Sequence, residues 1–266
     1  MRARPMMSFT EHPDFPQALA LAEQLADVAR RIVREHFRAP IAVESKTDGT
    51  PVTIADRDIE SHMRRMIRAA FPAHAIRGEE FAAEGGGEFT WVLDPIDGTK
   101  SFVSGYPLFG SLIALQQEER AVLGVVEAPV VGERWVGADG RTTLFNGKRA
   151  STRDCRSLGE AILCTTTPES FDAPDWSRFE ALSARTAVRR FGGDCYLYGM
   201  LASGYCDLVV EAMLKPHDYM AVIPIVTGAG GRVSDWRGAP LSPASDGRMV
   251  LAATEALWQQ ALEILR

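Results

Sequence analysis

The sequence predicts an α+β fold. Two stretches of apolar residues at helical spacing open the chain, short apolar runs separated by turn residues follow, and the second half mixes both kinds of element. Connections within the middle run are too short for crossover helices, so its strands should pair antiparallel.

Ala18, Ala22, Leu25, Ala26, Ala29, Ile32, Val33 and Phe37 mark the first helix, which follows Pro16 and is closed by Pro40. A polar, turn-rich segment covers 44–51. Thr53-Ile54-Ala55-Asp56 then reads as a capping box with Asp in place of Glu. The helix behind it has the buried stripe Ile59, Met63, Met66, Ile67 and Ala70, and Pro72 ends it. Strands are expected at 91–93, 112–115, 122–126 and 134–136, and the Gly-rich tract 84–88 reads as a flexible loop. A soft boundary at 151–158 divides the chain into halves 1–155 and 156–266. In the second half, strands are expected at 161–164, 207–211, 232–235 and 249–252, and helices at 178–184, 196–203, 219–227 and 255–265. Gly228, Gly230 and Gly231 follow a helix rather than precede one, so they read as a helix stop and not as a nucleotide loop.

Composition excludes several classes. Lys plus Arg is 29 against 35 for Asp plus Glu, a net charge of −6, so no nucleic-acid partner is expected. A phosphate ligand remains open where metal ions supply the positive charge. No apolar run is long enough for a transmembrane helix, and Met1 to Phe9 lacks a signal-peptide core, so a cytoplasmic chain without a membrane partner is expected. Cys155, Cys164, Cys195 and Cys206 form no C-x-x-C pair and read as reduced thiols.

The chemistry concentrates in acids. In Trp91-Val92-Leu93-Asp94-Pro95-Ile96-Asp97-Gly98-Thr99 a strand ends in one carboxylate, a proline forces a turn, and a second carboxylate follows. Backbone N–H groups opening a helix at Gly98-Thr99 could hold an anion. Such oxygen donors suit Mg²⁺; the segment is equally readable as a solvated turn. Glu79 should lie at another strand end. Asp218 precedes an apolar helix and, taken alone, is better read as an N-cap, while Glu211 could be simply a surface acid at a strand end. Convergence of Glu79, Asp94, Asp97 and Asp218 would be strongly repulsive without cations between them.

Gly78-Glu79-Glu80, Asp94-Pro95-Ile96-Asp97-Gly98-Thr99 and Asp218, seven positions after Glu211, resemble the inositol-monophosphatase-like superfamily of Mg²⁺-dependent phosphatases. Gly98 to Phe102, Gly105 to Gly110, Gly192-Gly193-Asp194-Cys195-Tyr196 and Leu214 to Asp218 are similar to its histidinol-phosphate phosphatase branch. That branch usually carries an aromatic residue where His217 stands. The resemblance implies a layered α-β-α-β-α sandwich, generally a homodimer, with two to three Mg²⁺ ions. It implies that Glu79, Asp94 and the Ile96 carbonyl hold one ion, and that Asp94, Asp97 and Asp218 hold another. The Gly98 and Thr99 amides would hold the phosphate, Asp56 and the Thr99 hydroxyl would polarise the attacking water, and Lys46 would flank the metals. Asp56 in a first helical turn is also simply favourable to the helix dipole.

Substrate choice should lie in the second half. By the same resemblance, Asp194 and Glu211 face the leaving group and would suit a cationic amino alcohol, although Asp194 could equally cap the helix that starts at Cys195. Arg189, Arg190 and Tyr196 are weaker candidates for that pocket, and His12, His36, His62 and His74 show no ligand spacing. The leading expectation is hydrolysis of L-histidinol phosphate. The alternatives are an inositol-1-monophosphatase or a broader phosphatase of the superfamily, and a silent member that only binds a phosphorylated partner.

Overall fold

In the computed structural model, residues 8–40, 42–45 and 51–266 are described, apart from the side chains of residues 45 and 51. Lys46 lies outside them.

The long helix α1 (Phe15–His36) turns Ala18, Ala22, Leu25, Ala29 and Val33 inward. A short hairpin, β1 (Val43–Ser45) and β2 (Pro51–Thr53), leads to α2 (Ile54–Ala70). The capping box is present: Asp56 Oδ2 accepts from the Thr53 N–H at 2.8 Å and from its hydroxyl at 2.6 Å. The first large sheet has the order β3 (Ala75–Gly78), β4 (Phe89–Asp97), β5 (Gly110–Gln117), β6 (Arg120–Ala128), β7 (Glu133–Ala138), β8 (Leu144–Phe145) and β9 (Lys148–Arg149). The short helix α3 (Thr99–Val103) sits between β4 and β5. All pairs in this sheet are antiparallel except β3–β4, which the local pattern did not reveal.

The second half adds β10 (Ile162–Thr165), α4 (Ala173–Ser183), β11 (Val188–Phe191), α5 (Tyr196–Ala202) and β12 (Leu208–Glu211). Then come α6 (Pro216–Tyr219), α7 (Val222–Gly228), β13 (Arg232–Ser234), β14 (Met249–Ala252) and α8 (Glu255–Leu265). The five strands order as β11-β10-β12-β14-β13, parallel around β10 and antiparallel around β14. Three expectations change here. Helix α4 starts at Ala173, because Pro174 suits a first turn and Asp172 caps it. Strand β11 was not anticipated, since every residue in it is exposed and it shows no alternation. The helix expected at 219–227 is two pieces, α6 and α7.

Alternation along the strands builds the layers. In β4, Trp91 and Leu93 face α1 and α2, while Val92 faces the other way. In β12, Val209 joins that middle core with residues of α5 and α7, while Leu208 and Val210 join a third core with residues of α4 and α8. The result is an α-β-α-β-α sandwich with three apolar seams. No helix among the described residues is long and apolar enough to cross a membrane.

Candidate active site

One cleft gathers Glu79, Asp94, Ile96, Asp97, Gly98, Thr99, Asp194, Glu211 and Asp218. They arrive from several separate elements. Glu79 follows β3, whose parallel pairing with β4 sets it beside the end of that strand. Asp94 and Asp97 flank an irregularity where the β4–β5 register shifts. Pro95 has no N–H to give the ladder, and its carbonyl instead accepts the Ser111 hydroxyl at 2.6 Å. The bulge re-aims the strand so that both carboxylates face the cleft.

One carboxylate oxygen each from Asp94, Asp97 and Asp218 lie within 4.8 Å of one another. A second grouping at the same spacing joins Glu79 and Asp94 to His217. Asp94 is buried and its Oδ1 has no hydrogen-bond partner. Burial raises the Asp94 carboxyl well above the usual range, and the charges of Glu79, Asp97 and Asp218 push it further. Asp97 is raised well up by burial and then by Asp194 and Asp218, and Asp218 is raised by burial. Acids so crowded and desolvated, with a buried oxygen unpartnered, fit a hard divalent cation that restores their charged forms.

Asp218 is not the N-cap that the sequence left open. It stands at the third position of α6, and its Oδ2 accepts the Lys215 N–H at 2.6 Å. Asp97 holds a helix start from outside: its Oδ2 accepts the Cys195 N–H at 2.5 Å. Asp194 does not take up the capping alternative: no side chain caps α5, and Asp194 Oδ2 instead accepts the Ser101 hydroxyl at 2.7 Å. Burial raises the Asp194 carboxyl, against the Ser101 bond.

Asp56 serves two partners. Its Oδ2 is taken by the capping box, and its Oδ1 is 3.5 Å from the Thr99 hydroxyl. That hydroxyl lies 3.1 Å from the Ile96 carbonyl, so its one proton can serve either acceptor. Gly98 adopts φ 90°, which favours glycine, and begins α3 with free backbone donors ahead of it.

Glu211 is buried rather than exposed at its strand end. It accepts the Thr166 N–H at 2.9 Å, the Thr166 hydroxyl at 2.8 Å and the Thr165 hydroxyl at 3.1 Å. Burial outweighs these bonds and lifts its carboxyl to about 7. Arg189 and Tyr196 are engaged elsewhere, with Glu180 and Glu133, and neither they nor Arg190 line the cleft.

Sequence reasoning missed several supports. Glu60, fully buried on α2, accepts the Glu80 N–H at 2.7 Å and the Arg64 Nε–H at 2.7 Å. A Cβ on Gly78 would lie 2.0 Å from Glu60 Oε1, so only glycine admits this anchor beneath Glu79. An acid and an arginine four apart, beside the stripe of Ile59 and Met63, were the available signal. Thr166, Tyr198 and Met213 also line the cleft, without any motif to announce them. The four cysteines are free and buried.

Residues 16–266 match the Inositol monophosphatase family. The chain is 41% identical over 256 residues to the bifunctional phosphatase IMPL2, chloroplastic, of Arabidopsis thaliana, covering 92% of this chain and 74% of that protein. It is 36% identical to a histidinol-phosphatase of Chlorobaculum parvum, covering 90% and 93%. Among solved structures, an inositol monophosphatase from Zymomonas mobilis superposes with a TM-score of 0.87 at 42% identity, covering 94% and 98%.

Proposed function

The chain belongs to the inositol monophosphatase family and is a phosphatase of that family; from this premise we propose that it hydrolyses L-histidinol phosphate with two to three Mg²⁺ ions. The observation that carries the substrate is the pair Asp194 and Glu211, two desolvated acids lining the same cleft as the carboxylate cage. An ammonium group near them would compensate both, whereas a neutral polyol would leave them buried without a counter-charge. The histidinol-phosphatase name of the Chlorobaculum parvum relative supports the same substrate.

In this reading Glu79, Asp94, the Ile96 carbonyl, Asp97 and Asp218 hold the cations. When bound, these ions neutralise the phosphate, make water nucleophilic near neutral pH and stabilise the departing oxygen. The Gly98 and Thr99 amides orient the phosphate at the start of α3. Asp56 and the Thr99 hydroxyl, 3.5 Å apart, polarise the attacking water: the hydroxyl takes its proton while giving its own to Asp56 Oδ1, and the departing alkoxide takes a proton from solvent. Asp194, fixed by Ser101, and Glu211, fixed by Thr165 and Thr166, bind the amino end of the leaving alcohol.

A second reading is inositol monophosphate hydrolysis, favoured by the Zymomonas mobilis structure, which is named for that activity. Phosphate release from L-histidinol phosphate and from inositol 1-phosphate, each with and without Mg²⁺, separates the two. A strong preference for the cationic ester, present only with the ion, is expected; equal kcat/KM values would overturn the substrate assignment.

A further inference from the structure

We propose that His217 supplies a nitrogen ligand to the cation position formed by Glu79 and Asp94, and so biases that position toward Mn²⁺, Co²⁺ or Zn²⁺ over Mg²⁺. The inference rests on the metal-dependent reading above and concerns one residue of this chain.

Three observations carry it. One ring nitrogen of His217 lies within 4.8 Å of a carboxylate oxygen of Glu79 and of Asp94, the spacing of donors around one ion. Asp94 Oδ1 is buried and without a hydrogen-bond partner, so the grouping contains an acceptor that the protein itself does not satisfy. His217 is also held in place. It sits in the first turn of α6 between Pro216 and Asp218, is largely shielded from solvent, and its Nε2 is 3.5 Å from Asp218 Oδ1. The ring therefore borders both carboxylate groupings.

The donor type decides the preference. Mg²⁺ takes oxygen ligands and keeps its waters, whereas imidazole suits first-row transition ions, whose affinity rises from Mn²⁺ through Co²⁺. Two carboxylates alone would favour the hard ion; two carboxylates and an imidazole suit the borderline ones. An aromatic hydrocarbon ring at this position would fill the same space and donate nothing.

The test uses the full chain freed of metal. Mn²⁺ is added to the wild type, and pulsed electron paramagnetic resonance is used to look for ¹⁴N coupling. Coupling from a directly bound imidazole is expected, and it should vanish in His217→Phe. By titration calorimetry, that substitution should weaken Co²⁺ binding at least about tenfold more than it weakens Mg²⁺ binding, the scale on which changes to a metal's surroundings act. Bound Mn²⁺ without nitrogen coupling, in the wild type alone, overturns the inference and leaves the phosphatase reading standing. Should no divalent ion bind at all, both fall. Where His217→Phe fails to fold, His217→Gln gives the same comparison.

Discussion

The Asp194 carboxyl carbon stands 2.6 Å from the point that a Cβ on Gly98 would occupy. The proposed phosphate-holding turn and the proposed selector of the leaving group thus touch, with no room for a side chain between them. Gly98 is also held at φ 90°. Gly98→Ala should therefore displace both, and a shift of about 1 Å at reacting groups costs on the order of 100-fold in rate. Steady-state kcat/KM checks this; a value within a few-fold of wild type would refute the close approach.

Asp194→Ala should separate binding from chemistry. Removing the acid takes away a partner for an ammonium group but leaves the carboxylate cage intact. KM for L-histidinol phosphate should rise by about tenfold or more, since a charge-assisted bond contributes on the order of 1.5–3 kcal/mol. KM for a neutral phosphate ester should move far less. Equal changes for both esters would remove Asp194 from substrate selection.

Asp94→Asn trades stability for function. Asp94 is buried near four other acids, Glu79, Asp97, Asp218 and Asp56, and its charged form is strongly disfavoured without cations. The variant should melt a few degrees higher than wild type in EDTA at pH 8, given roughly 2–4 °C per kcal/mol in a chain of this size. It should also lose the added stabilisation that Mg²⁺ confers on the wild type by binding only the native state. Differential scanning calorimetry with and without the ion reads both effects, and a Mg²⁺ shift of undiminished size in the variant would contradict the cage.

Glu211 offers a pH signature. Its folded value is about 7, above the 4.5 of an ordinary glutamate. Between those values the folded carboxyl keeps its proton while the unfolded one loses it. Stability from this group is therefore lost as pH rises from about 4.5 to about 7. Glu211→Gln removes the titration. In metal-free protein, the melting temperature of the variant minus that of wild type should become more positive between pH 5 and pH 8; a constant difference would contradict the raised value.

Glu60→Ala tests the anchor beneath Glu79. It leaves Arg64 buried without its principal partner, and breaking a buried pair costs about 3–5 kcal/mol. Arg64 retains Glu84 at 3.4 Å, so the lower end is expected. The same change frees the Glu80 N–H, and Mg²⁺ affinity should fall with stability. Loss of stability with unchanged ion affinity would show that the anchor does not position Glu79.

Much of this was legible in the sequence, for identifiable reasons. The stripes of α1 and α2 and the Thr53–Asp56 box follow from local periodicity and capping. The Asp94–Thr99 segment combines a strand, a proline and a glycine, which together constrain the turn. What the sequence left open, or passed over, concerns residues whose meaning is not local. Asp194 was equally readable as a cap because an acid preceded a helix, and only the fold shows its carboxylate held by Ser101, far off in sequence. Glu211 was also readable as a surface acid because the four preceding residues alone cannot tell that both faces of β12 are covered. Strand β11 is exposed and carries no alternation to read.

The bond from Cys195 to Asp97 makes the cleft a product of both halves of the chain. It joins the C-terminal end of β4 to the start of α5 in the middle layer, and Asp218 enters from later still in the sequence. The first 155 residues carry Glu79, Asp94 and Asp97 but lack both the backbone donor that fixes Asp97 and the fourth acid, so on their own they hold only part of the carboxylate grouping.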